Sequence, residues 1–205
     1  LCAEDELGIG ASHDGIMELP ADAVAGTTAR DYLRIEDDYL IEVGLTPNRV
    51  DAASHIGVAR DLAAYLRSRG EDVSVKMPDV TAFAPDNHDL GVKIRVENHE
   101  AAPRYAGVTV KNCKIAPSPE WMQNCLRAAG INPKNNLVDI TNFVLFELGQ
   151  PLHAFDAAKI EGREVVVRTC AEGTPFVTLD GVERKLTADD LMICSAERPM
   201  CIAGV

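Results

Sequence analysis

The densest set of chemically competent side chains lies in LVDITNFVLFELGQPLHAFDAAKI, residues 137–160. It sets Asp139, Thr141, Asn142, Glu147, Gln150, His153 and Asp156 among Leu, Val, Ile and Phe. Polar groups in apolar runs either satisfy one another or meet a ligand. Asn142 falls inside a predicted helix, where Asn is a mediocre former. Its amide donates and accepts, so it either holds a ligand or bonds a neighbouring backbone group. His153 follows Pro151-Leu152 in a turn, which presents the ring to a pocket or lets it pack with a hydrogen bond. Asp156 reads as the cap of a short helix after that turn. Residue chemistry alone stops at a polar pocket near His153.

Other chemistries lack their residues. No Gly-x-x-x-x-Gly-Lys loop, no strand-linked Gly-x-Gly-x-x-Gly and no Gly-x-Ser-x-Gly elbow occurs. The five histidines, at 13, 55, 88, 99 and 153, are scattered without metal-ligand spacing. Six cysteines, at 2, 113, 125, 170, 194 and 201, form no Cys-x-x-Cys pair, so a zinc ribbon is not expected. Cys125, Cys194 and Cys201 sit in apolar runs and read as small buried hydrophobes with reduced thiols.

The elements that must position these residues are legible in part. Ala52, Ile56, Ala59, Leu62, Ala63 and Leu66 recur at helical steps, with Asp51 as cap and Gly70 as the left-handed stop. Residues 76–89 hold two prolines and read as a linker. Val92 to Val96 alternates as a half-buried strand, and Tyr105 to Val110 is a second strand candidate. A helix follows, with Ser118 as cap, Pro119 at its first position and Gly130 past its end. Its apolar face is Trp121, Met122, Cys125, Leu126 and Ala129. Residues 137–148 form another helix, stopped by Gly149 and Pro151. Strands are expected at Val165–Val167, Phe176–Leu179, Leu191–Cys194 and Met200 onward, with a hairpin turn at Asp180-Gly181.

The chain has 205 residues, 46% of them hydrophobic, enough for a sizeable core in one large or two smaller domains. No apolar run reaches the roughly 18 residues of a membrane span. The net charge of −12 makes the chain a poor general binder of nucleic acid. That charge is uneven. Residues 1–40 carry ten acids against Arg30 and Arg34, whereas residues 101–150 carry five bases against three acids. Contact with a polyanion is therefore expected in the middle of the chain, if these faces are more than solvated. The start on Leu1 and the apolar end Cys201–Val205, read as an interrupted strand, suggest part of a longer polypeptide.

Residues 137–160 also carry a family likeness: they resemble the central region of the beta subunit of bacterial phenylalanine–tRNA ligase. LTPNRVDAASHIGVARDLAAYL at 45–66, LDG at 179–181 and IAGV at 202–205 fit the same family in the same order. LCAEDELGIGASHDGIMELP at 1–20 looks like the tail of its OB-fold tRNA-binding domain. The fold implied is α+β. The tail of the OB-fold domain and a connector occupy 1–44, a small helical domain 45–75, a linker 76–89, and an incomplete mixed-sheet editing domain 90–205.

The resemblance implies that this subunit hydrolyses tyrosine wrongly attached to phenylalanine tRNA, tRNA(Phe), while the alpha subunit performs aminoacylation. Asn142 and His153 match polar residues of the editing pocket and would orient the tRNA end and a water. Gly204 would lie near backbone donors for the oxyanion. Asn132 and Lys134 are possible tRNA contacts, Asn132 standing where the family often carries Arg. No residue resembles a covalent nucleophile. The family's tyrosine-hydroxyl reader lies beyond IAGV, so this piece would hold about half a pocket and be inactive alone. Partners implied are the alpha subunit, in a heterotetramer of two alpha and two beta subunits, and tRNA(Phe), in the cytoplasm and with no membrane. No cofactor or metal is implied for this segment, ATP and magnesium belonging to the whole enzyme. Two alternatives stand: a non-catalytic tRNA-positioning or assembly module, and a free-standing aminoacyl-ester hydrolase, against which the OB-like tail argues.

Overall fold

The computed structural model describes residues 2–10, 12–35 and 37–204. The chain divides into two compact units, Leu1–Val43 and Gly44–Val205.

The first unit is made largely of turns. Its helix α1, Ala29–Tyr32, is one turn long. Thr28 caps it, accepting the Asp31 N–H at 3.1 Å and donating its hydroxyl to the Asp31 carboxylate at 2.7 Å. The Met17 N–H donates to the Cys2 carbonyl at 2.9 Å, and the His13 ring meets the Asp5 carboxylate at 2.9 Å. No strand forms among the described residues of this unit. The apolar run Tyr39, Leu40 and Ile41 is exposed and in no strand, since a strand needs a partner edge and none is paired there.

The second unit holds helices α2, His55–Ser68, α3, Glu120–Ala128, and α4, Asn136–Leu148. The helix read around residues 46–70 starts later than Asp51. Ser54 is its cap, accepting the Gly57 N–H at 3.0 Å. Asp51 sits in a short 3-10 turn, Val50–Ala52, with its carboxylate held by Arg49 at 3.0 Å. That guanidinium also reaches Asp61 on α2 at 2.7 Å, and it holds the Asp51 carboxyl below its usual range. Gly70 stops the helix as expected, with φ of 88°. Its N–H bonds the Arg67 carbonyl and the Glu71 N–H bonds that of Leu66, so two orphan carbonyls are satisfied.

A four-stranded mixed sheet carries the core. Its strands are β1, Lys93–Val96, β2, Glu164–Thr169, β5, Leu191–Cys194, and β6, Pro199–Ile202, in the order β1-β2-β5-β6. Strands β1 and β2 pair in parallel, Ile94 opposite Val165, because α3 and α4 supply the long crossover that parallel pairing requires. The other two pairings are antiparallel. Val165, Val166 and Val167 are all buried, as a central strand covered on both faces should be. Alternation sends Val165 and Ile193 to one cluster with Ile160, and Val166, Met192 and Cys194 to another with Leu186. Burying each such aliphatic side chain stabilises the fold by about 1.5–3 kcal/mol.

A separate hairpin pairs β3, Pro175–Val177, with β4, Glu183–Lys185. Gly181, at φ of 77°, makes its turn as Asp180-Gly181 predicts.

Three local expectations need correction. Tyr105 to Val110 is not a strand: Tyr105 packs on the Ile160–Val165–Ile193 cluster, Val108 and Val110 are exposed, and among the described residues β1 pairs with β2 alone. Ser118 does not cap α3. Pro119 holds the cap position, and the buried Ser118 hydroxyl is committed to Asp139. Cys125 is exposed, because Met122 and Leu126, one turn apart, occupy the buried stripe of α3. Cys194 is buried and Cys201 half-buried. The final strand ends at Ile202, and Val205 lies outside the described residues.

Candidate functional site

The candidate site is organised around α4. Asn135 starts this helix, its side-chain oxygen accepting the N–H groups of Leu137 and Val138 at 3.1 Å. Asn136 bonds backward: its amide donates to the Lys114 carbonyl at 2.9 Å, and its N–H to that of Ala116 at 2.8 Å. One turn into the helix, Asp139 is buried between Ser118 and the loop before Asn135. Phe143 meets Trp121 of α3 edge to face, with ring centroids 5.4 Å apart. On another side the His55 ring of α2 bonds the Phe146 carbonyl at 3.0 Å. Gly149, at φ of 76°, ends α4 in the left-handed region.

Asn142 lies mid-helix and is half-buried. Its neighbour Thr141 turns its hydroxyl to the Val138 carbonyl at 2.7 Å. After Gly149 the chain runs without helix or strand to Asp156, whose carboxylate accepts the Ala158 N–H at 3.0 Å and caps a 3-10 turn, Ala157–Lys159. His153 sits in this connector with an exposed side chain, its ring tilted on that of Phe155 at 4.2 Å. Partial desolvation there lowers the imidazole pKa below its ordinary value, which favours the neutral ring.

Phe155, Tyr105, Cys201 and Ala203 pack on the Ile160–Val165–Ile193 cluster. The ring beneath His153 and the residue before Gly204 therefore share one face of the sheet. Gly204 follows β6 in a turn, exposed, at φ of 80°. Burial raises the Tyr105 and Cys201 pKa values, so both keep their protons at neutral pH. No hydrogen bond joins Asn142, His153 and Gly204 to one another among the described residues. The fold relates His153 to Gly204 through packing on that cluster, and Asn142, on α4, precedes His153 and is joined to it by the connector.

Asn132 and Lys134 are exposed on the loop between α3 and α4. Gly130 opens that loop at φ of 79°, with the Ile131 N–H returning to the Leu126 carbonyl at 2.8 Å. A groove of about 390 Å³ runs along α2, lined by Ile56, Leu62, Leu66, Val73 and Val75, and touches none of Asn142, His153 or Gly204. Among the described residues no three His, Cys, Asp or Glu side chains cluster as a metal would need. Among the described residues no helix is long and apolar enough to cross a membrane.

Sequence reasoning missed two networks. One joins Ser118 to Asp139 across 21 positions. The other joins Ser195 to Glu161 at 2.6 Å, with Arg198 on the same carboxylate at 2.8 Å. Neither spacing leaves a local signal. The buried polar position of Asp139 within an apolar helix was the one visible clue.

The B3/4 domain model matches residues 101–205. A phenylalanine–tRNA ligase beta subunit of Bacteroides fragilis is 62% identical over all 205 residues of this chain, which cover 25% of that relative. Those of Porphyromonas gingivalis and Carboxydothermus hydrogenoformans are 55% and 43% identical, each again matched along the whole chain and over 25% of its own length. The chain spans about a quarter of the length of the curated relatives it matches.

Proposed function

The chain belongs to the family of phenylalanine–tRNA ligase beta subunits, and on that premise we propose that it supplies part of a site hydrolysing tyrosine wrongly esterified to tRNA(Phe). The observation that carries this reading is the B3/4 match over residues 101–205, the span that holds Asn132, Lys134, Asn142, His153 and Gly204. The chemical need is general. A hydrophobic pocket for phenylalanine cannot strongly reject tyrosine, which only adds a hydroxyl, so a second sieve is required.

In this reading a water attacks the ester carbonyl carbon. The bond from that carbon to the terminal ribose oxygen breaks, and the ribose oxygen leaves with a proton, giving tyrosine and free tRNA(Phe). His153, neutral at pH 7 through its lowered pKa, offers the water one acceptor nitrogen. Asn142 orients the tRNA end, and backbone donors near Gly204 face the developing oxyanion. Asn132 and Lys134 touch the tRNA. The reading needs no covalent intermediate, and the Cys194 thiol, desolvated and beside Cys170, is pushed up to about 11, away from the thiolate a nucleophile requires. Residues 1–44 are the tail of an OB-fold tRNA-binding domain and its connector, 45–75 a small helical domain, 76–89 a linker and 90–205 the N-terminal part of the editing domain. The intact enzyme pairs two beta with two alpha subunits in the cytoplasm, and aminoacylation with ATP and magnesium takes place outside this segment.

The test is deacylation of tyrosyl-tRNA(Phe) and phenylalanyl-tRNA(Phe) by the intact synthetase and its His153→Ala and Asn142→Ala variants. The tyrosyl ester should be preferred, and each variant should lose about a hundredfold in rate, the low end for a positioned polar group. Full activity in both variants would remove these residues from the site. Failure of the wild-type enzyme to hydrolyse either ester would favour a tRNA-positioning module, with His153 a packing residue.

A further inference from the structure

We propose that Asp139 is a positioning residue for the tRNA end, holding the loop that bears Asn132 and Lys134 in fixed register with α4; this rests on the editing reading above. Asp139 is 1% exposed, and both of its carboxylate oxygens are engaged by different segments. Oδ2 accepts the Ser118 hydroxyl at 2.5 Å, a length typical of a hydroxyl donating to a carboxylate. Oδ1 accepts the Lys134 backbone N–H at 2.8 Å. Among the described residues no Lys or Arg side chain pairs with it.

A buried carboxylate without a cation is a costly way to fill space, and an apolar residue of similar volume would serve stability as well. What a carboxylate adds is acceptor capacity without donors, so that two N–H or O–H groups from separate segments converge on one side chain. Ser118 is buried too, and its carbonyl takes the Gln123 amide at 2.7 Å, which ties the start of α3 into the same knot. The loop is thus pinned at three places: by the Gly130 turn, by the Lys134 N–H on Asp139, and by the Asn135 cap. Its backbone is held from within while the Asn132 and Lys134 side chains remain exposed. An amide and an ammonium so presented suit the phosphate and ribose oxygens of a tRNA end. Asn142 lies three residues beyond Asp139 on the same helix, so the clamp sets the spacing between tRNA contact and pocket.

The experiment uses the intact synthetase and tyrosyl-tRNA(Phe), resolving KM from kcat. Asp139→Ala should raise KM about tenfold, as loss of buried hydrogen bonds to a contact loop would. It should change kcat by less than about threefold and leave the KM for tRNA in aminoacylation unchanged. Asp139→Leu keeps the buried volume, removes both acceptors and takes the place of the Ala variant if that does not fold. Asp139→Asn retains an acceptor for the Lys134 N–H and should stay within about threefold of wild type. Ser118→Ala, which spares the Lys134 bond, should do the same. An unchanged KM in the Ala and Leu variants, or a loss confined to kcat, would overturn the positioning role. A wild-type enzyme that does not hydrolyse the ester would instead overturn the editing reading on which it rests.

Discussion

The chemistry proposed for His153 turns on one proton. Desolvation beside Phe155 makes the folded ring harder to protonate than the ordinary histidine at about 6.5. The unfolded chain therefore binds more protons between the two pKa values. The contribution of this ring to stability is complete above the ordinary value and is lost as pH falls through it toward the lower folded value. Melting temperature followed from pH 8 to 5 should drop less steeply in His153→Gln than in the wild type, and identical slopes would refute the partial desolvation. By contrast Cys194 carries its perturbed thiol in the core, against Cys170 at 3.9 Å, where a raised pKa marks inertness and not function.

Among the elements, α4 depends on its two ends. Asn135 satisfies two orphan N–H groups at the start, and Asn135→Ala should cost about 1 kcal/mol. Gly149 closes the other end at φ of 76°, where a Cβ would also meet that of Ser54 at 3.3 Å. Gly149→Ala should cost about 1–2 kcal/mol from the left-handed strain alone. Urea denaturation of both variants checks this, and a Gly149→Ala chain as stable as wild type would deny the turn its conformation. The three helix stops at Gly70, Gly130 and Gly149 and the turn at Gly181 were all legible, because each depends on a residue able to take positive φ at a fixed offset from its element. The starts were less so. Asp51 and Ser118 are both chemically able caps, but the neighbouring Arg49, itself tied to Asp61, holds the first, and the distant Asp139 holds the second.

For the whole molecule, charge sets what the isolated chain can do with RNA. A net charge of −12 opposes a polyanion, although residues 101–150 carry a small excess of bases. The 205-residue chain alone should bind tRNA(Phe) no tighter than about 1 µM at physiological salt, the scale of non-specific binding. Filter binding beside the intact synthetase measures this. Nanomolar affinity by the chain alone would mean that the acidic excess is held away from a complete RNA surface.

The α+β class, the helices and the hairpin followed from the sequence itself, since periodicity, caps and turn residues act within a few positions of one another. The likeness to a tRNA ligase beta subunit was equally a property of the sequence, carried by motifs in order along the chain. Only the tertiary structure decided that β1 pairs in parallel with β2, that Tyr105–Val110 stays unpaired, that Phe155 joins His153 to the face bearing Ala203, and that Asp139 gathers Ser118 and Lys134. Most of those contacts span tens of residues, as Ile94 with Val165 and Ser118 with Asp139 do, and all are selected by what else is buried beside them. No local pattern encodes that competition; it is settled only when the sheet and helices close on one another.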